Sequence, residues 1–192
     1  SKFVSLVYIG KAMTYDMEMA GPCNFTANDI VVHNSGKTWL LLQMAVNQHR
    51  LGKSVLVISL EMPTRIIEDR LDAIVCKLDY DKFRRGQTSV QEDADLYAAV
   101  KKLKSVKNAF NLISFENYDG KAKTPLGSVE SIRACVQRYR PDILFVDGIY
   151  LGMSMEWEKA TKFANDFHAM LVGCHIPCVA TTQMQQEADP AK

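Results

Sequence analysis

Three things are scarce in this chain of 192 residues: net charge, long apolar runs and paired cysteines. Its 23 basic and 22 acidic residues leave a formal charge of +1, which excludes a polybasic nucleic-acid sponge and an acidic tail as whole-chain properties. No apolar run approaches the length of a membrane span, and the opening Ser1-Lys2-Phe3 lacks both an initiator Met and a signal-peptide core. These absences point to a cytoplasmic protein, or a piece of one, without a membrane partner. Five cysteines, at 23, 76, 135, 174 and 178, make an odd set that argues against a disulfide framework. Cys174, His175 and Cys178 have metal-like spacing, but the apolar Ile176, Val179 and Ala180 around them favour buried thiols.

What is present divides at residue 34. Before it, Val4–Ile9, Thr14–Met19 and Ile30–Val32 read as short extended runs, separated by the turn signals Gly10-Lys11, Gly21-Pro22 and Asn28-Asp29. Such a segment cannot bury a useful core alone and needs a partner. From Ser35 onward, helical stripes alternate with buried strands. Helices are expected at Thr38–Arg50, after Pro63 (on Ile67, Leu71, Ile74 and Val75), and on the face Val129, Ile132, Val136 and Tyr139. A further stripe takes in Trp157, Ala160, Ala164, Phe167 and Leu171. Strands are expected at Ser54–Leu60, Asn111–Phe115, Asp142–Asp147 and Pro177–Thr182, with a charged peripheral helix over Glu92–Lys107. Alternation at crossover spacing implies a mostly parallel sheet covered on both faces.

Gly36-Lys37-Thr38 at the start of a helix is the closing half of a phosphate-binding loop. There, backbone N–H groups cradle phosphates, the lysine reaches the terminal ones and the hydroxyl holds Mg²⁺. The glycine that should open the loop is replaced by Ile30-Val31. Alone, Gly-Lys-Thr is as often an ordinary glycine turn. Three polar strand ends strengthen it: Asp147 after Ile143-Leu144-Phe145-Val146, Glu61 after Val55–Ser59, and Gln183 after Val179–Thr182. In an open α/β sheet ligands collect at that edge, where Asp147 would serve the metal, Glu61 an attacking water and Gln183 the γ-phosphate.

Residues 35–187 resemble the RecA-like motor domain of DnaB-type replicative ring helicases and their phage relatives. The matching stretches are Ser35-Gly36-Lys37-Thr38, Ser59-Leu60-Glu61-Met62, Leu144–Leu151 and Thr181-Thr182-Gln183. The resemblance implies an α/β P-loop NTPase fold, truncated at both ends of 35–192. It implies ATP and Mg²⁺, nucleotide contacts from Ser35, Gly36, Lys37, Thr38, Asp147 and Gln183, and metal held by Thr38 and Asp147. Glu61 would activate water. It further implies single-stranded or forked DNA as partner and a homo-hexameric ring. The front of the loop, the neighbour-directed basic finger and the channel loops for DNA are departures.

His33-Asn34-Ser35 has a chemistry of its own: an Asn side-chain amide can attack its own carbonyl and cleave the next bond, and a hydroxyl can carry an acyl group. By itself the tripeptide is common in exposed turns. Residues 1–34, through Thr14–Met19 and Gly21–Asn34, resemble the C-terminal part of an intein, split or cropped. That resemblance implies a small all-β segment (a HINT-fold fragment) whose catalytic residues are Asn34, Ser35, His33, Asp16 and Cys23. Asn34 cyclises, His33 assists, Ser35 accepts the upstream extein, Asp16 positions the junctions, and Cys23 replaces a usual histidine. The partner would be a complementary N-terminal intein half with its extein, docking by strand complementation and burial of Phe3, Val7 and Phe25. Splicing in trans to rebuild an ATP-dependent helicase, silent as an ATPase until spliced, is the leading expectation. The alternatives are an ATP-hydrolysing helicase or recombinase-like motor with no active intein, and a non-enzymatic nucleotide-binding scaffold.

Overall fold

In the computed structural model, residues 24–27, 30–33, 36–105, 107–116, 126–153 and 156–182 are described. The chain divides into two compact units, Ser1–Gly36 and Lys37–Lys192. In the first, β1 (Asn24–Ala27) and β2 (Ile30–His33) pair antiparallel, with Asn24 opposite His33 and Ala27 opposite Ile30. Of the three extended runs expected before residue 34, Ile30–Val32 appears within β2. Val4–Ile9 and Thr14–Met19 lie outside the described residues. A separate all-β segment of intein type is not evident among the described residues, since two four-residue strands enclose no core.

The second unit is a four-stranded, wholly parallel sheet in the order β4-β3-β5-β6: β3 is Val55–Ser59, β4 Phe110–Ser114, β5 Ile143–Asp147 and β6 Cys178–Ala180. Among the described residues six α-helices accompany it: α1 Lys37–Arg50, α2 Thr64–Cys76, α3 Tyr80–Arg84, α4 Val90–Lys104, α5 Val129–Tyr139 and α6 Trp157–Cys174. Strand alternation builds two cores. Val55, Val57 and Phe145 point to one face and pack with Leu41, Leu42 and Ala45 of α1 and Ile67 of α2. Leu56, Ile58, Leu144 and Val146 point to the other, against Ile132 and Val136 of α5 and Phe167 and Met170 of α6. All seven strand residues are fully buried, which is why β3 and β5 read as unbroken apolar runs rather than alternating ones.

The expected strands and helices are present with ends shifted by a few residues, and there are two corrections. Pro63 caps α2 from outside, in an extended conformation, instead of opening its first turn. In α6 the apolar stripe is rotated: Phe163, Phe167, Met170, Leu171 and Cys174 take the core, while Trp157 is 83% exposed and Ala164 faces solvent. Both stripes satisfy a 3.6-residue period, and the one carrying the larger side chains wins because it removes more apolar area from water. Among the described residues no helix is long and apolar enough to cross a membrane.

Candidate functional site

Parallel pairing brings the strand ends to one edge. The register sets Ser59 of β3 beside Asp147 of β5, and the N–H of Leu60 donates to the Asp147 carbonyl at 2.9 Å. The chain then turns sharply after each strand. Ser59 Oγ donates to the Met62 carbonyl and accepts from the Met62 N–H, both at 3.0 Å, closing the turn that presents Glu61. Glu61 itself is exposed, at the rim.

The Asp147 side chain is 1% exposed and hydrogen-bonded on both sides. Thr38 Oγ1, in the first turn of α1, lies 3.0 and 3.1 Å from its two carboxylate oxygens, and Thr181 Oγ1, just past β6, donates to Oδ1 at 2.8 Å. The Gly148 N–H donates to the same Thr181 oxygen at 2.8 Å, and the Ile149 N–H to the Thr181 carbonyl at 3.0 Å. A carboxylate buried this deeply needs such donors to offset lost hydration. Residues 38, 147 and 181, scattered along the chain, are thereby tied into one cluster.

The start of α1 suits an anion. Gly36 has φ +69°, a left-handed conformation that glycine adopts without strain, and the first turn holds no acidic residue. Lys37 is the first helical residue and Thr38 the second. Behind them, Arg70 of α2, almost wholly buried, lies over the rings of Trp39 (5.4 Å) and Tyr80 (5.9 Å), which meet edge-on at 5.0 Å. These contacts brace the first turn of α1 against α2 and α3.

β5 leads into a 3-10 turn, Ile149–Gly152. Gly148 has φ +79°, and a Cβ built there would lie 3.1 Å from Glu61 Cβ and 3.4 Å from Glu61 Oε2. Tyr150 lies on the same turn. Burial first, and the Glu61 charge second, push its phenol above the ordinary tyrosine range.

Of the residues singled out in the sequence, Thr38 and Asp147 touch, Glu61 reaches the same edge, and Gly36 and Lys37 sit where α1 begins. Asp16, Cys23, Asn34, Ser35 and Gln183 lie outside the described residues. His33 closes β2. Sequence reasoning missed the roles of Thr181 and Gly148; a hydroxyl just past one strand and a glycine just past another were the available signals. Cys174 and Cys178 are free thiols packed on the α5/α6 core, and burial pushes Cys178 up to about 12. No group of three His, Cys, Asp or Glu among the described residues could hold a metal ion.

The DnaB-like helicase C terminal domain family matches residues 31–191. The chain belongs to that family. Two solved structures share the fold. One, described as an ATPase domain, is 19% identical with a TM-score of 0.64, over 79% of this chain and 54% of that one. The other, a DnaB-like replicative helicase described with its interactions with primase, is 18% identical with a TM-score of 0.63, over 79% of this chain and 37% of the other. The chain thus spans about half or less of each. No curated protein matches it.

This finding corrects the expectation of an intein–helicase fusion. The family match enters at Val31 and continues through His33-Asn34-Ser35 to residue 191, so the expected junction falls inside a DnaB-like domain. The splicing roles of Asn34, Ser35, His33, Asp16 and Cys23, and the intein partner, rested on that resemblance and are withdrawn with it.

Proposed function

We propose that this chain is the nucleotide-hydrolysing motor module of a DnaB-like DNA helicase. The observation that carries the reading is the Thr38–Asp147 hydrogen bond, which joins the start of α1 to the end of β5 across 109 residues. A hydroxyl and a buried carboxylate side by side are hard oxygen donors. They fit Mg²⁺, which takes few protein ligands and completes its shell with phosphate oxygens and water. When bound, Mg²⁺ neutralises charge building on the β- and γ-phosphate oxygens of ATP.

The chain's own residues supply the rest. Gly36 and the N–H groups opening α1 bind the phosphates, Lys37 reaches the terminal ones, and Thr38 and Asp147 hold the metal position. Glu61 accepts a proton from water. The water oxygen bonds to the γ-phosphorus as the bond to the bridging oxygen breaks, leaving ADP and inorganic phosphate. Gln183, two residues beyond Thr181, is assigned to sensing the γ-phosphate. DNA is the polymer acted on, and a ring of like subunits the working assembly.

The test is binding of a fluorescent ATP analogue with Mg²⁺ to this chain and to its Lys37→Ala and Thr38→Ala variants. Both variants are expected to lose at least about tenfold in affinity, the equivalent of one charge-assisted hydrogen bond. Equal affinity in all three would overturn the site.

A further inference from the structure

Outside its buried stripe, α6 turns two unlike flanks outward. At 3.6 residues per turn its charged side chains, Glu158, Lys159, Lys162 and Asp166, fall together on one of them. Lys159, Lys162 and Asp166 line a groove there with Ser128 and Glu130 at the start of α5. The flank away from α5 has another character. Trp157, Thr161, Ala164, His168 and Val172 fall within about 80° of one another around the helix axis. All five are exposed, Trp157 at 83% and Val172 at 58%, and none is an acid, a lysine or an arginine. A helix face meant for water carries charge, and single exposed apolar residues are ordinary, but an uncharged stripe with an indole at its head is not.

The two ends of the stripe differ in shape. At its start Trp157, the first residue of α6, projects as a knob. Towards its end lies a cavity of about 370 Å³, lined by His168, Leu171, Val172, His175 and Ile176. About 22 Å of helix separates Trp157 from Val172, and Ala164 and Asn165 stand midway. Turning a second α6 antiparallel about that midpoint sets the knob of each copy against the cavity of the other. The small Ala164 at the crossing lets the two helices approach closely, and no like charges meet along the stripe. A foreign helix would need only the cavity; a knob and a hole equidistant from a small central residue are what a twofold pair of the same helix requires.

We propose that the uncharged flank of α6 is a self-association surface, on which two copies of this chain pair antiparallel with Trp157 of each seated in the His168–Ile176 cavity of the other. This contact is independent of the nucleotide site. It is also twofold, unlike the head-to-tail contacts that close a ring. Five side chains on each copy, at about 100 Å² apiece, bury roughly 1,000 Å² in total, the low end for specific association. A dissociation constant of about 10–100 µM is expected.

Sedimentation velocity on the full chain, from about 5 to 300 µM, should show the mass rising from one copy towards two. Trp157→Ala and Val172→Asp, both at exposed positions, should keep the helical circular dichroism and weaken pairing at least about thirtyfold, the ratio for truncating an interface hot spot. Register has its own readout. With a short bismaleimide, Ala164→Cys should give a link between residue 164 of one copy and residue 164 of the other, identified by peptide mass spectrometry. Glu158→Cys, about 20 Å from its counterpart in this register, should give no such link. A single-copy mass throughout the range overturns the pairing. A dimer that both Trp157→Ala and Val172→Asp leave unchanged, or one without the 164-to-164 link, overturns α6 as its interface.

Discussion

Replacing Thr181 with Val keeps the volume and β-branch of the side chain and removes only its hydroxyl. That oxygen has two partners: it donates to Asp147 Oδ1 at 2.8 Å and accepts from the Gly148 N–H at 2.8 Å. A hydrogen bond to a charged group contributes about 1.5–3 kcal/mol, and stranding a buried partner costs about 1–3 kcal/mol. The two losses share one atom and one cluster, so they are not fully additive. Thr181 is half-buried and water can reach part of the gap, giving an expected net loss of about 2–3 kcal/mol. In a unit of this size that lowers Tm by roughly 4–12 °C. Urea unfolding followed by circular dichroism at the helix band is the assay, because every described helix lies within the second unit. Thr181→Ser, which retains the hydroxyl, should recover most of the loss. A change below about 0.5 kcal/mol for the valine variant, the range of an ordinary surface substitution, would refute the claim that Thr181 holds the end of β5 in place.

Phe145 is fully buried on the sheet face under α1, so Phe145→Ala should cost about 3–5 kcal/mol in the same unfolding assay; a loss under about 1 kcal/mol would mean that this face is not packed as described. Cys178, pushed up to about 12 by burial, should resist iodoacetamide at pH ~8 in the folded protein and react once urea is added, as read by peptide mass spectrometry. The same shift has a sign for stability. The folded state keeps the Cys178 proton after the unfolded chain has lost it, so this contribution falls as pH rises from about 9 towards 12; unfolding midpoints that rise over that window would contradict it.

The local pattern carried much of the fold. β3 and β5 were legible because Val55–Ser59 and Ile143–Asp147 are uninterrupted apolar runs closed by polar residues, the mark of strands covered on both faces. α5 was legible from its spacing, and its Ser128 cap accepts from the Ser131 N–H as a helix start requires. The stripe on α6 was misplaced because two stripes share the same period and only the facing surface of the sheet chooses between them. The fusion reading failed for a related reason. The intein resemblance was placed on residues 1–34, through Thr14–Met19 and Gly21–Asn34, and the family match from Val31 to residue 191 runs across the junction that it required.

Sequence alone determined the chemistry available: a lysine and a threonine at a helix start, and an aspartate and a glutamate at the ends of two strands. Each follows from local spacing, which one chain segment contains in full. Tertiary structure decided which of these groups meet. Parallel register places residue 147 beside residue 59, and the return of β6 brings Thr181 to Asp147 and Gly148. The turn after β5 lays Gly148 against Glu61. Thr181 and Asp147 are 34 residues apart in the chain, Thr38 and Asp147 109 apart, and no local periodicity encodes such contacts. They exist because two cores, one on each face of the sheet, hold the strand ends in register.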